Sequence, residues 1–307
     1  MEGWESGLIE LAPRVYAYID PEGTWFKSNL GIVAGDNYTV LIDTQYNAER
    51  MRRILKSLRE MGLPPVRLIV NTHHHGDHVW ANHLLPDAVT ISSRATQEVL
   101  KLLEKTSPNM YKPLFPSLDF TGAKNTPTQL AFEKGDVILE PPGAPKMVLR
   151  ILGPAHTVGD LIVYLPDHDI VFAGDIVFYR VTPLAHEGYI EGWLKALDQL
   201  AELRPRLIVP GHGPLSTSEA LHEVKSYFEV VRRAALRGLE KGLDPLEAAL
   251  GTELGPYREW RDLERLVPNI ERAYMELRGE PPAKPLPNIM ETVKKMFKYR
   301  AALEAEK

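Results

Sequence analysis

The sequence predicts an α/β protein with layered mixed sheets, followed by a helical C-terminal extension. Two observations carry this prediction. In the first two-thirds of the 307 residues, short β-rich runs alternate with stretches of helical periodicity. After residue 216 the β-rich runs stop, and amphipathic helical patterns continue to the end.

The predicted strands are short apolar runs rich in β-branched residues. They lie at residues 15–19, 31–34, 38–42, 67–71, 88–92, 147–152, 161–165, 170–173 and 206–209. Turn-forming sequences at residues 34–37 and 165–169 predict two hairpins. Helical spacing of apolar residues predicts helices at 48–61, 96–105 and 191–202. Strands joined both by hairpins and by helices indicate mixed sheets.

The chain is predicted to divide into a catalytic domain, residues 1–216, and a helical extension, residues 217–307. A Ser/Thr cluster at residues 216–218 begins a long amphipathic helix, and two or three further helices follow. An apolar stripe between Trp260 and Tyr274 is expected to be mostly core, although part of it would also suit a subunit interface in a homo-oligomer. Residues 107–128 form a long irregular segment, and loops of this length are more often functional than idle.

Composition narrows the classes of partner and compartment. The net charge of −5 gives no general attraction to nucleic acid or to an anionic membrane. No apolar run approaches the roughly 20 residues of a membrane span. Glu2 and Glu5 stand where a signal peptide would carry positive charge. We therefore expect a cytoplasmic protein with a small-molecule substrate and neither nucleic acid nor membrane as partner. The 25 prolines and the absence of cysteine would suit a thermophilic source.

Several candidate metal-ligating side chains are concentrated in residues 71–78, Asn-Thr-His-His-His-Gly-Asp-His, which follow an apolar run. In an extended segment His73 and His75 point the same way, whereas His74 faces elsewhere. Asp77 and His78 would lie in the first turn of a following helix. Such a group of imidazoles and a carboxylate is poorly satisfied when buried without a cation, so the stretch predicts a metal site.

Three other stretches place a histidine or an aspartate just after an apolar run. These residues are His156, Asp175 and His212, each with a glycine nearby in the sequence. Since loops at the ends of strands in one sheet can converge, the three are expected to join the histidines of residues 73–78. A donor set of nitrogen and oxygen alone fits zinc, and also iron or manganese.

The order of these motifs resembles the metallo-β-lactamase superfamily, and Leu-Ile-Asp-Thr with Asp43 matches the first motif of that family. The resemblance implies a four-layer αββα sandwich with a two-metal site at one edge of the sheets. It further implies that His73, His75 and His156 hold one metal ion. By the same resemblance, Asp77, His78 and His212 hold the other, Asp175 bridges the two, and Asp43 supports the ligands without binding metal.

The resemblance implies a binuclear metallo-hydrolase. Two cations, most simply zinc, would activate a shared water toward an ester, thioester, lactone or phosphotriester, and Asp77 would orient that water. The ligand set is similar to that of glyoxalase II-like thioesterases. A mononuclear iron enzyme of the persulfide dioxygenase type is the alternative. A β-lactamase is less favoured because most carry a cysteine ligand or lack the bridging carboxylate, and a nuclease is less favoured because of the net charge.

Aromatic residues near these motifs are candidates for substrate contact. Trp25 and Phe26 precede the second predicted strand, where related proteins often carry a flap, although core packing would explain them nearly as well. Phe178 and Tyr179 follow Asp175, and Tyr179 could donate a hydrogen bond to an oxyanion or could simply be a wall residue. Arg180 and His186 could also face the mouth of the site.

Overall fold

The computed structural model describes residues 7–282 and 284–305, and within these residues the strands form two mixed sheets. In the first sheet, neighbouring strands in space follow the chain order β1 (Gly7–Ala12), β2 (Val15–Ile19), β3 (Leu30–Ala34), β4 (Thr39–Ile42), β5 (Val66–Val70), β6 (Val89–Ser93) and β7 (Leu130–Phe132). In the second, the order is likewise β8 (Asp136–Leu139), β9 (Met147–Ile151), β10 (Leu161–Leu165), β11 (Ile170–Phe178) and β12 (Leu207–His212).

Helices connect the parallel strand pairs and form the C-terminal part of the chain. The α-helices are α1 (Ala48–Glu60), α2 (Gly76–Val79), α3 (Arg94–Leu103), α4 (Ile190–Glu202), α5 (Ser218–Glu240), α6 (Pro245–Leu250), α7 (Leu266–Leu277) and α8 (Ile289–Ala305). Strands β1 to β4 and β8 to β11 pair antiparallel, whereas β4 to β7 and the β11–β12 pair are parallel. Both predicted hairpins, β3–β4 and β10–β11, are confirmed.

Three apolar clusters separate four layers. The facing sides of the two sheets bury one cluster, which includes Val33 of β3 and Phe172 of β11. Helix α1 covers the outer side of the first sheet through Met51 and Ile54. Helices α4 and α5 cover the outer side of the second sheet, and Trp193 of α4 is buried in the apolar cluster between them. This arrangement confirms the predicted αββα sandwich.

The structure adds strands β1, β7 and β8, which the sequence did not predict. Each lies at the edge of a sheet. An edge strand is covered on fewer sides, so it needs neither a continuous apolar run nor clear alternation, and its sequence signal is weak.

Strand β11 is longer than predicted. It continues to Phe178, and its pairing with β12 shifts register on either side of Gly174, where φ is +51°. A Cβ at Gly174 would lie 2.6 Å from Oγ1 of Thr72, so glycine is required there. Asp175 therefore lies within a bulged strand and not in the loop after it, and the bulge aims its carboxylate at the sheet edge.

Of the C-terminal helices, α5 packs on β11 of the second sheet, α6 and α7 pack on α5, and α8 packs on α6 and α7. All four share one apolar cluster with α4. Trp260, Ile270 and Tyr274 are buried in this cluster, so that predicted stripe belongs to the core of the chain. The division into two domains at residue 216 stays a prediction. In the described part of the chain, no helix combines the length and the apolar character needed to cross a bilayer.

Candidate metal centre

The bend after β5 is held in place by Asp43. Asp43 follows β4 with φ at +66°, and its carboxylate accepts hydrogen bonds from the backbone amide and the hydroxyl of Thr72, both at 2.7 Å. Helix α2 then begins at Gly76, so Asp77 and His78 lie in its first turn as predicted. The side chains of this bend therefore point to one edge of the sandwich.

One cluster of donors consists of His73, His75, His156 and Asp175, whose ligating atoms all lie within 4.8 Å of one another. Nδ1 of His75 lies 2.8 Å from Nε2 of His156, and that Nε2 is 3.2 Å from Oδ2 of Asp175. The first sheet supplies two of these residues and the second sheet the other two. The site therefore forms where the edges of the two sheets meet, as the resemblance implied, and not from the strand ends of one sheet alone.

A second cluster consists of Asp77, His78 and His212. Oδ2 of Asp77 lies 3.1 Å from Nε2 of His212. Asp175 touches this cluster as well, with Oδ1 3.1 Å from Nε2 of His78 and Oδ2 3.5 Å from Nε2 of His212. The structure thus brings all seven predicted ligands together, and Asp175 lies between the two clusters.

The donor atoms fit metal ions. Nε2 of His73, Nε2 of His78 and Oδ1 of Asp175 are buried and make no hydrogen bond of good geometry within the described chain, although the last two atoms lie 3.1 Å apart. Unpartnered polar atoms of this kind cost free energy, and coordination to divalent cations would satisfy them. Nitrogen and oxygen donors without sulfur are suitable for zinc, iron or manganese.

The electrostatics of the cluster also favour added positive charge. Burial lowers the pKa of His73 well below its usual value, so this imidazole is neutral. Burial would raise the pKa of Asp77, but His78 and His212 lower it to about 2. Burial opposes protonation of His212, yet Asp175 and Asp77 raise its pKa to about 9. The buried carboxylates thus draw cations to this point, whether protons or metal ions.

Contacts to the Nδ1 atoms orient three of the imidazoles. Nδ1 of His78 lies 2.8 Å from Oδ2 of Asp43, and Nδ1 of His212 lies 2.8 Å from the carbonyl oxygen of Gly23. Nδ1 of His73 is 3.0 Å from the hydroxyl of Thr72. Such contacts select the tautomer that leaves Nε2 free for a metal.

Glu187 is a site residue that sequence reasoning missed. Its Oε2 lies 2.9 Å from Nε2 of His74 and 3.2 Å from Nε2 of His75. His74 is outside the two clusters around Asp175, as expected, but it is buried and shares this carboxylate with His75. Glu187 directly follows His186, which the sequence predicted at the mouth of the site, and this neighbouring position was the one sequence feature that could have indicated it.

A cavity of about 110 Å³ opens onto the clusters. Trp25, Phe26 and Phe178 line it as predicted, together with Tyr111 and Phe115 of the long loop. His186 also lines it, whereas Tyr179 and Arg180 do not. This corrects the expectation that Tyr179 faces the cavity, because its hydroxyl instead accepts a hydrogen bond from Arg180 at 3.3 Å. A catalytic role for Tyr179 stays a prediction without structural support.

The C-terminal part of the chain holds one wall of this cavity. Nε1 of Trp25 donates to Oε1 of Glu264 at 2.8 Å, and the guanidinium of Arg265 lies 4.3 Å from the centroid of the Trp25 ring. Thr24 donates to Asp262 at 2.6 Å. The sequence carries no local signal for these contacts, which join residues more than 230 positions apart.

An αββα sandwich with clustered histidines and carboxylates at its edge defines a class of metal-binding enzymes, and comparison with known proteins identifies the family. A family model described as the metallo-beta-lactamase superfamily matches residues 23–212. A metallo-beta-lactamase family protein from Thermus thermophilus superposes with a TM-score of 0.68 at 21% identity, covering 89% of this chain and 98% of that one. A metallo-beta-lactamase from Pontibacter korlensis has a TM-score of 0.58 at 20% identity, covering 72% of this chain and 98% of that one.

The curated relatives are named for different activities. A linear primary-alkylsulfatase from Pseudomonas is 22% identical over 71% of this chain and 48% of its own length. A hydroxyacylglutathione hydrolase from Bartonella henselae is 26% identical over 61% of this chain and 63% of its own length. The chain thus spans about half to two-thirds of the length of these relatives. The match to the family model over more than half of the chain shows that it belongs to the metallo-β-lactamase superfamily.

Proposed function

We propose that this protein hydrolyses a carboxylic ester or thioester of a small molecule with two divalent metal ions, most simply zinc. The observation that carries the proposal is Asp175, a buried carboxylate within 3.5 Å of His156, His78 and His212 at once. A carboxylate shared by two groups of ligands suits a pair of metal ions better than one. The hydroxyacylglutathione hydrolase relative supports hydrolysis of a small substrate.

In this proposal His73, His75 and His156 would hold one ion, and Asp77, His78 and His212 would hold the other. Asp175, which lies between the two clusters, would be available to both. When bound, the two ions act as Lewis acids and lower the pKa of a water molecule toward about 7. Asp77 lines the cavity and stays ionised, so its carboxylate can accept a hydrogen bond from the attacking water and orient it. Trp25, Phe26 and Phe178 exclude bulk water from the reacting carbonyl.

Residues before and after position 216 contribute differently to the proposed site. All seven ligands lie within residues 73–212. The segment after residue 216 contributes Glu264 and Arg265, which hold Trp25 at the cavity wall. We also propose a cytoplasmic location and a small-molecule substrate. The cavity supports the small substrate, and the charge of −5 gives no general attraction to nucleic acid or to an anionic membrane.

The test combines metal analysis with a substrate panel. The purified protein should contain two metal ions per chain and should hydrolyse aryl esters or thioesters in preference to phosphotriesters, lactones and β-lactams. A chelator should abolish the activity, and zinc, iron or manganese should be compared for restoring it.

A different result would favour the alternative chemistry. One iron ion per chain, no hydrolysis of any substrate in the panel and oxygen consumption with a persulfide would replace the hydrolase with a dioxygenase.

A further inference from the structure

A groove of about 770 Å³ lies beside the metal cavity. The two spaces share the side chains of Trp25, Tyr111, Phe115, Leu184 and His186 in their walls. The groove and the metal cavity are therefore adjacent, so a molecule that lies in the groove contacts side chains that also line the metal cavity. Pockets of roughly 300–1,000 Å³ are the size that binds small organic ligands.

One face of α8 forms a wall of this groove. Its lining residues recur at helical spacing, and they are Ile289, Val293, Met296, Phe297 and Arg300. The long loop also lines the groove, with Leu114, Phe115, Pro116 and Leu118. Ile289 and Phe297 are each 46% exposed. A contiguous apolar surface of this kind, continuous with a reaction site, indicates an apolar ligand.

Among the described residues, each charged side chain that lines the groove already has an ion-pair or hydrogen-bond partner. Lys27 pairs with Glu22, and Glu187 contacts His74. Arg300 pairs with Glu304 at 3.2 Å, and Glu264 accepts from Trp25 at 2.8 Å. A charged ligand would compete with these pairs, whereas an uncharged chain would leave them intact.

We propose that this groove binds the aliphatic acyl chain of the ester or thioester whose carbonyl lies in the metal cavity. The inference rests on the proposed function and names its substrate class as medium- or long-chain acyl compounds. The reaction remains simple hydrolysis. Water adds its oxygen to the acyl carbon, the acyl–oxygen or acyl–sulfur bond breaks, and the released alcohol or thiol takes up the proton.

The first measurement compares kcat/KM for 4-nitrophenyl decanoate and 4-nitrophenyl acetate. Each buried methylene contributes about 0.8 kcal/mol, or about fourfold, so the decanoyl ester should be preferred by at least roughly a hundredfold even with partial burial. In Phe297→Glu and in Ile289→Glu this ratio should fall at least roughly tenfold, because a carboxylate in the groove must lose its water when the chain binds.

Met290→Glu is the matched control. Met290 lies on the same helix and is 56% exposed, but it does not line the groove. In Met290→Glu, the ratio of kcat/KM for the decanoyl ester to kcat/KM for the acetyl ester should equal that of the unaltered protein. Equal ratios in all three variants, or no preference for the decanoyl ester in the unaltered protein, would overturn the proposal.

The second measurement does not depend on turnover. Isothermal titration calorimetry with 1-decanol should detect binding to the unaltered protein and to Met290→Glu, and at least roughly tenfold weaker binding to Phe297→Glu. Decanol binding without hydrolysis of any ester would support the groove and contradict the hydrolase. Hydrolysis of short esters with no decanol binding would support the hydrolase and contradict the groove.

Discussion

Oδ2 of Asp43 lies 2.8 Å from Nδ1 of His78, and this contact ties the end of β4 to a proposed metal ligand 35 residues later. The same carboxylate holds the amide and hydroxyl of Thr72, so one buried aspartate organises the whole bend. Its positive φ is tolerated by aspartate and by asparagine, which makes a conservative substitution possible.

Asp43→Asn should weaken metal binding without unfolding the protein. The amide nitrogen of asparagine cannot accept the proton of His78, and the loss of such a supporting contact typically lowers metal affinity about 10–100-fold. Metal retained after dialysis against a chelating buffer measures the effect. Asp36→Asn is the control, since Asp36 lies in an exposed hairpin, far along the chain from the donor clusters, and pairs with Arg14. Equal retention in both variants would contradict a supporting role for Asp43.

His75→Ala and Asp175→Ala should remove turnover from a protein that stays folded. Each removes a ligand, and loss of metal activation worth several kcal/mol corresponds to roughly a thousandfold or more in kcat. Circular dichroism should be unchanged, because neither side chain belongs to the apolar clusters. His222→Ala, on the exposed side of α5, should keep full activity. Near-full activity in either ligand variant would refute the assignment.

Glu187→Ala should lower the occupancy of the cluster that contains His75. The carboxylate of Glu187 orients the imidazole of His75, and burial would raise its pKa, but hydrogen bonds from His74 and His75 keep that pKa well below its usual value. We expect roughly 10–100-fold weaker binding of one metal ion and a fall in kcat larger than any change in KM. Glu191→Gln, on an exposed surface pair with Lys195, is the control. A change in KM alone would assign Glu187 to substrate contact instead.

Glu264→Ala should loosen the cavity wall formed by Trp25. The indole loses its acceptor at 2.8 Å, and a half-buried donor left unpaired costs about 1–3 kcal/mol. Urea unfolding should show lower stability, and KM should rise more than kcat falls. Glu264→Gln should restore both values, because the amide oxygen can accept the same hydrogen bond. Equal defects in both variants would show that the charge of Glu264, rather than its hydrogen bond to Trp25, is what matters.

Local features of the fold could be predicted well. Central strands such as β10 were placed at their observed limits, since a buried strand needs a continuous apolar run. The turn residues between β3 and β4 and between β10 and β11 indicated their hairpins. The edge strand β7, only three residues long, left too weak a pattern to find.

By itself, the sequence determined which side chains can ligate metal. His73, His75, Asp77 and His78 fall within one bend, and the alternation of an extended chain decides which of them share a face. That periodicity is a property of neighbouring residues, so it can be read without coordinates.

Only the tertiary structure decided what surrounds those ligands. Glu187 meets His74 across 113 positions and Glu264 meets Trp25 across 239, and α8 forms a groove with a loop from the first half of the chain. The same holds for Tyr179, whose place outside the cavity follows from how β11 packs. Such contacts depend on how whole layers pack against one another, and no local pattern of residues encodes that arrangement.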